Sequence, residues 1–100
     1  MNLVPQKRIE IVVDGSNLYR VLEILDVLEE VPGYTVLPEV QGSGDRGYQY
    51  ADDLSGSSAN AYVIVAVPPE NVETITEQIG PIIQEYGGLY LVADCQWLEH

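Results

Sequence analysis

Apolar and polar residues alternate from Arg8 to Val13, with Ile9, Ile11 and Val13 on one side and Arg8, Glu10 and Val12 on the other. A period of two predicts a strand with one covered face. The period then changes. Asp14-Gly15-Ser16-Asn17 reads as a turn with Ser16 as N-cap, and Leu18, Val21, Leu22, Leu25 and Leu28 recur at helical spacing, with Glu23, Asp26, Glu29 and Glu30 outside the stripe. This predicts a first helix to about Glu30, ended by Pro32-Gly33. Tyr34 to Val40 is apolar and β-branched and predicts a second strand, in which Pro38 denies one ladder donor and implies a bulge or an edge. Ala61 to Val67 is a continuous apolar run, which predicts a third strand buried on both faces. Pro68-Pro69-Glu70 opens a second helix with Val72, Ile75, Ile79, Ile82 and Tyr86 on one stripe, a kink expected at Gly80-Pro81 and Gly87 as its C′ residue. A fourth strand follows from Leu89 to about Trp97.

Between strands two and three, residues 41–60 carry Gly42, Gly44, Gly47 and Gly56 among serines, with only Tyr48, Tyr50 and Leu54 as sizeable apolar groups. A patternless stretch of that length inside a small domain is usually functional. The order of elements, βαββαβ in one domain over residues 1–100, predicts a ferredoxin-like α+β fold: a four-stranded antiparallel sheet with two helices on one face and a long loop between strands two and three. Helices cover one face only. The apolar residues on the other side of strand three, Tyr62, Ile64 and Ala66, then need a second cover, most economically copies of the same chain.

Composition narrows the function classes. Sixteen Asp and Glu against four Lys and Arg give a net charge of −12, a field that repels nucleic acid and anionic membranes. Cys95 is the only cysteine, so neither an intramolecular disulfide nor a cysteine metal cluster can form, and a reducing cytoplasmic location is expected. No segment has the length of a signal peptide or membrane span. The only histidine, His100, follows Leu98-Glu99, so residues 98–100 read equally as native sequence or a tag remnant. With no internal histidine base, and a lone cysteine inside an apolar strand, enzyme chemistry is not expected.

Gly42-Ser43-Gly44-Asp45-Arg46-Gly47 fits G-x-G-x-x-G as a string, but no helical stripe follows it, so it reads as a flexible glycine loop rather than a dinucleotide site. Glycines let backbone N–H groups approach an anion, and Arg46 is the loop's only cation. Asp52-Asp53 reads either as half a carboxylate metal site or as solvated loop residues. Tyr48 and Tyr50, two apart, would point the same way from an extended segment, either as anchors for a partner or as staples over the sheet.

Gly33-Tyr34-Thr35-Val36 and Glu39-Val40-Gln41-Gly42-Ser43-Gly44 resemble the G-[MY]-T-V entry and E-V-K-G-F-G exit of the second strand in the PII superfamily of signalling proteins, and Arg46-Gly47-Tyr48-Gln49-Tyr50 is similar to the R-G-x-x-Y of its T-loop. The spacing through Leu37-Pro38 most resembles the PII-like proteins associated with carboxysomes and inorganic-carbon transport. The resemblance implies a cytoplasmic homotrimer that is not an enzyme, with a nucleotide or anion site in the cleft between subunits formed by Gly33, Tyr34, Thr35, Gly42, Ser43, Gly44, Arg46, Gly87 and Gly88. It implies regulation of a protein partner, such as a transporter or a carbon-metabolism component, through the T-loop at 41–60 with Tyr48 and Tyr50 as contacts. No Lys or Arg follows Arg46, which favours AMP, ADP or a small anion such as bicarbonate over ATP as effector. An effector-free interaction module of the same fold, and a metal-responsive trimer like CutA, are the alternatives.

Overall fold

The computed structural model describes residues 1–40, 42–44, 47–49 and 59–100, with 42–44 and 47–49 as backbone. Strand β1 (Leu3–Asp14) leads through a 3-10 turn (Gly15–Asn17) into helix α1 (Leu18–Val27). Strand β2 (Thr35–Val40) is followed by two short strands, β3 (Gly42–Gly44) and β4 (Gly47–Gln49), and then by β5 (Asn60–Val67). A second 3-10 turn (Pro69–Asn71) opens helix α2 (Val72–Tyr86), and β6 (Leu89–Leu98) closes the chain. The four long strands form one antiparallel sheet in the order β2-β5-β1-β6. With both helices on one face, this is the expected ferredoxin-like arrangement.

The alternation in the sequence decides which face is covered. Ile9, Ile11 and Val13 of β1 and Ala61, Val63, Val65 and Val67 of β5 are buried against Val21 and Leu25 of α1 and Ile75 and Ile79 of α2. Leu18, Leu22, Leu28, Val72 and Ile82 of the two stripes pack around them. Within one copy, strand β5 is buried on its helix-facing side only: its buried residues alternate with partly exposed Asn60, Tyr62, Ile64 and Ala66, the side for which a second cover is expected. The helices run antiparallel and are tied at both ends, by the Asn71 side-chain amide donating to the Glu30 carbonyl (3.1 Å) and by Arg20 stacking on Tyr86.

Helix one differs at both boundaries. Ser16 is not its cap; the Asp14 carboxylate accepts from the Ser16 N–H (2.9 Å) and hydroxyl (2.8 Å), because the first turn after β1 is 3-10 and shifts the cap back by two residues. The helix ends at Val27 rather than about Glu30, since Leu28 is extended and the carbonyl of Glu30 finds the Asn71 side chain instead of a helical donor. Helix α2 continues through Pro81 to Tyr86. Pro38 has both of its expected consequences: β2 is an edge strand, and its register against β5 shifts between Leu37 and Val40, with Glu39 at φ 59°. Residues 42–44 and 47–49 also correct the reading of 41–60 as patternless, because Gly42, Ser43 and Gly44 pair with Gln49, Tyr48 and Gly47 in a short ladder.

Candidate functional site

The open sheet face holds a depression of about 740 Å³ lined by Gln6, Pro32, Gly33, Tyr34, Thr35, Ile64, Ala66, Pro68 and Trp97. That volume lies in the range, roughly 300–1,000 Å³, of small-molecule sites. The register explains the convergence. Thr35 lies opposite Ile64, Gln6 lies opposite Cys95, and Val4 lies opposite Trp97, so the alternation that buries Val63 and Val65 under the helices turns these side chains to the other face. Among the described residues the wall is mostly apolar and carries no charged side chain. Among the described residues, the backbone N–H and C=O groups of Gly33 and Tyr34 have no backbone partner, so they can meet the polar edge of a bound planar group.

Tyr34 is fixed from behind. Its hydroxyl donates to Asp26 Oδ1 of α1 at 2.6 Å, and this bond to a carboxylate raises the phenol above its ordinary value. Tyr62, on the same open face, donates to Glu10 Oε2 at 2.9 Å and is raised for the same reason, while Arg8 Nε pairs with Glu10 Oε1 at 2.7 Å. Tyr90 is raised by burial, against the opposing effect of its contact with Thr76. All three shifts have one sign. A folded-state value above the ordinary 10.0 means that the stabilisation is present below about pH 10 and is lost as pH rises through the raised values. The melting temperature is therefore expected to hold from pH 8 to 10 and to fall beyond it. A Tyr34→Phe/Tyr62→Phe double variant should show a shallower fall; an unchanged alkaline profile would show that these contacts do not contribute.

The structure divides the sequence-predicted site residues into two groups. Gly33, Tyr34 and Thr35 sit at the depression beside edge strand β2. Gly87 and Gly88 sit at the start of the opposite edge strand, β6, where Gly87 (φ 84°) ends α2 by donating to the Ile83 carbonyl at 2.8 Å and Gly88 (φ 128°) lies against Val12. Three strand spacings of ~4.8 Å separate the two edges, about 14 Å before any displacement along the strands. Gly42, Ser43 and Gly44 continue from Val40, whose partner Asn60 faces Asp14 at the far end of β1, so they approach the Gly88 end of the sheet rather than the depression. A single copy of the chain does not bring the groups together. Tyr48 lies in β4, whereas Arg46, Tyr50 and the Asp52-Asp53 pair lie outside the described residues.

Gln6, Ile64, Ala66, Pro68 and Trp97 were not sequence candidates for this site. Their spacing holds no local signal; only the pairing of strands distant in the chain gathers them. Among the described residues no three His, Cys, Asp or Glu side chains gather as metal ligands, and no helix is long and apolar enough to cross a membrane.

Comparison with known proteins agrees with this architecture. The profile of the nitrogen regulatory protein P-II family matches residues 6–99. CPII, a nitrogen regulatory PII-like protein from Thiomonas intermedia, superposes in its form bound to ADP, AMP and bicarbonate with a TM-score of 0.85 at 29% identity, over 96% of this chain and 91% of that one. Its form bound to ADP and bicarbonate gives 0.81 at 31% identity over the same shares. A PII-like signalling protein from Thermus thermophilus gives 0.79 at 24% identity, over 98% of this chain and 94% of that one, a likeness of fold. A search of curated proteins found no match. With the family profile spanning nearly its whole length and the βαββαβ sheet in place, the chain belongs to the nitrogen regulatory protein P-II family.

Proposed function

We propose that this chain is a non-enzymatic, PII-like regulatory protein that assembles as a homotrimer, takes an adenine nucleotide (AMP or ADP), with bicarbonate as a further effector, between its subunits, and signals to a protein partner through residues 41–60. The observation that carries this reading is the depression at Gly33-Tyr34-Thr35, uncharged among the described residues, with the Gly33 and Tyr34 backbone groups that have no backbone partner there on one side and the Trp97 ring on the other. An apolar slot edged by fixed donors and acceptors suits a purine, and relatives of the same family are bound to ADP, AMP and bicarbonate.

The other half of the geometry supports assembly. Leu37, Leu89, Leu91 and Trp97 on the open face are between 43% and 54% exposed in one copy, more apolar surface than a monomer usually leaves uncovered. Packing copies by this face buries it and brings the Gly33–Thr35 edge of one subunit towards the Gly42–Gly44 and Gly87–Gly88 end of the next, so that the base binds in one subunit and the phosphates reach the other. Ligand contacts to Gly42, Ser43, Gly44 and Arg46 would then bias the arrangement of 41–60, and with it the presentation of Tyr48 and Tyr50 to a transporter or carbon-metabolism partner.

Calorimetry with AMP, ADP, ATP and bicarbonate tests the effector. Micromolar to millimolar binding of AMP or ADP in preference to ATP is expected, accompanied by a change in fluorescence of Trp97, the chain's only tryptophan. No heat and no thermal shift at millimolar nucleotide or bicarbonate would overturn the effector assignment and leave an effector-free interaction module.

A further inference from the structure

Among the described residues the depression carries no charge, so a phosphate needs its cation from elsewhere. Of the three described Lys and Arg residues, Lys7 pairs with Asp94 and Arg8 with Glu10. Arg20 has no carboxylate partner among the described residues. Its guanidinium carbon lies 4.3 Å from the Tyr86 ring centroid and 4.9 Å from that of Tyr19, and its Nε donates to the buried Asn17 Oδ1 at 3.3 Å. Two aromatic rings and one amide therefore fix the plane of a group whose two terminal nitrogens, with four N–H donors, meet no acceptor among the described residues. A cation needed only to tie α1 to α2 would be satisfied by the stack; the open fork is the geometry that receives an oxyanion bidentately.

Its position gives that fork a target. Tyr86 is the last residue of α2 and directly precedes Gly87-Gly88. The Gly88 N–H has no backbone acceptor among the described residues. The negative end of the α2 dipole and a net charge of −12 would together repel a phosphate from this end of the sheet unless a cation is placed there. We infer that the Arg20 guanidinium, held flat against Tyr86 and Tyr19, is a phosphate contact of the bound adenine nucleotide, acting beside the Gly88 N–H. This rests on the nucleotide reading above.

Titrating AMP and adenosine into the wild-type protein, Arg20→Gln and Arg20→Lys by calorimetry separates the two claims. In the wild type AMP should bind more tightly than adenosine. In Arg20→Gln AMP should weaken ten- to a hundredfold, towards the affinity of adenosine, with adenosine itself unchanged. Arg20→Lys keeps the charge but loses the fork and should weaken AMP several-fold; it remains informative if the Gln variant melts early. Equal losses for AMP and adenosine would make Arg20 a helix clamp, and unchanged AMP binding in both variants would remove it from the site, each overturning this assignment while leaving the nucleotide reading standing. Absence of wild-type binding to either ligand would overturn both.

Discussion

Replacing Gly88 with alanine is expected to cost at least ~3 kcal/mol of folding free energy, a large share of the roughly 5–15 kcal/mol that holds a domain of this size together. Two causes act together. Gly88 has φ 128°, a backbone region that side-chain-bearing residues rarely enter, and a methyl group there would lie 2.3 Å from the Val12 carbonyl oxygen. That oxygen lies near the end of β1, an interior strand of the sheet, and cannot move without disturbing the Val12–Leu89 pair that starts β6. Val13 Cγ1 and Ile83 Cδ1, at 3.3 and 3.4 Å, close the other escape routes. For a domain of about 100 residues the melting temperature should fall by more than ~10 °C. Gly33→Ala is the matched control, since nothing lies within 4 Å of its added methyl and its φ is not positive; it should melt within a few degrees of the wild type. Equal melting temperatures for Gly88→Ala and the wild type would contradict the described approach of β6 to β1.

Leu91→Glu is expected to convert the assembled protein into single chains. Leu91 is 51% exposed in one copy and faces the open side of the sheet, with Glu10 directly across from it on β1. In a lone chain a glutamate there stays solvated, and the cost is the repulsion of two opposed carboxylates, under ~1 kcal/mol. In the proposed trimer the same carboxylate is buried against a neighbour without a partner, which costs several kcal/mol at each interface, on the order of 3–5 kcal/mol for an unpaired buried charge. Light scattering should therefore report three times 11.0 kDa for the wild type and 11.0 kDa for the variant, with the helical signal retained. A variant that keeps the mass of the wild type, whatever that is, would show that the open face is not the interface.

Local periodicity accounts for most of the fold that was legible in advance. Ile9, Ile11 and Val13 alternate because one face of β1 meets the helices, and Val21, Leu25, Ile75 and Ile79 return every three to four residues because they meet it from the other side. Pro38 announced the edge and bulge of β2 because a missing N–H is a local property. What escaped is non-local or a matter of end effects. Asp14 caps the turn after β1 in place of Ser16, because a 3-10 start moves the cap by less than one helical turn. Gly33, Tyr34 and Thr35 were legible through the family resemblance, but Gln6 and Trp97 join them only through the pairing of strands at opposite ends of the chain. The stack of Arg20 on Tyr86 spans two helices, and neither residue's own spacing signals it.

The central claim is that copies of this chain close a nucleotide site that one copy leaves open. Native mass spectrometry of the purified protein titrated with AMP and ADP tests it most directly. The expected spectrum is a species of three times 11.0 kDa that takes up to three nucleotides. A single-chain species, or a trimer that remains unliganded at millimolar AMP and ADP, would contradict it.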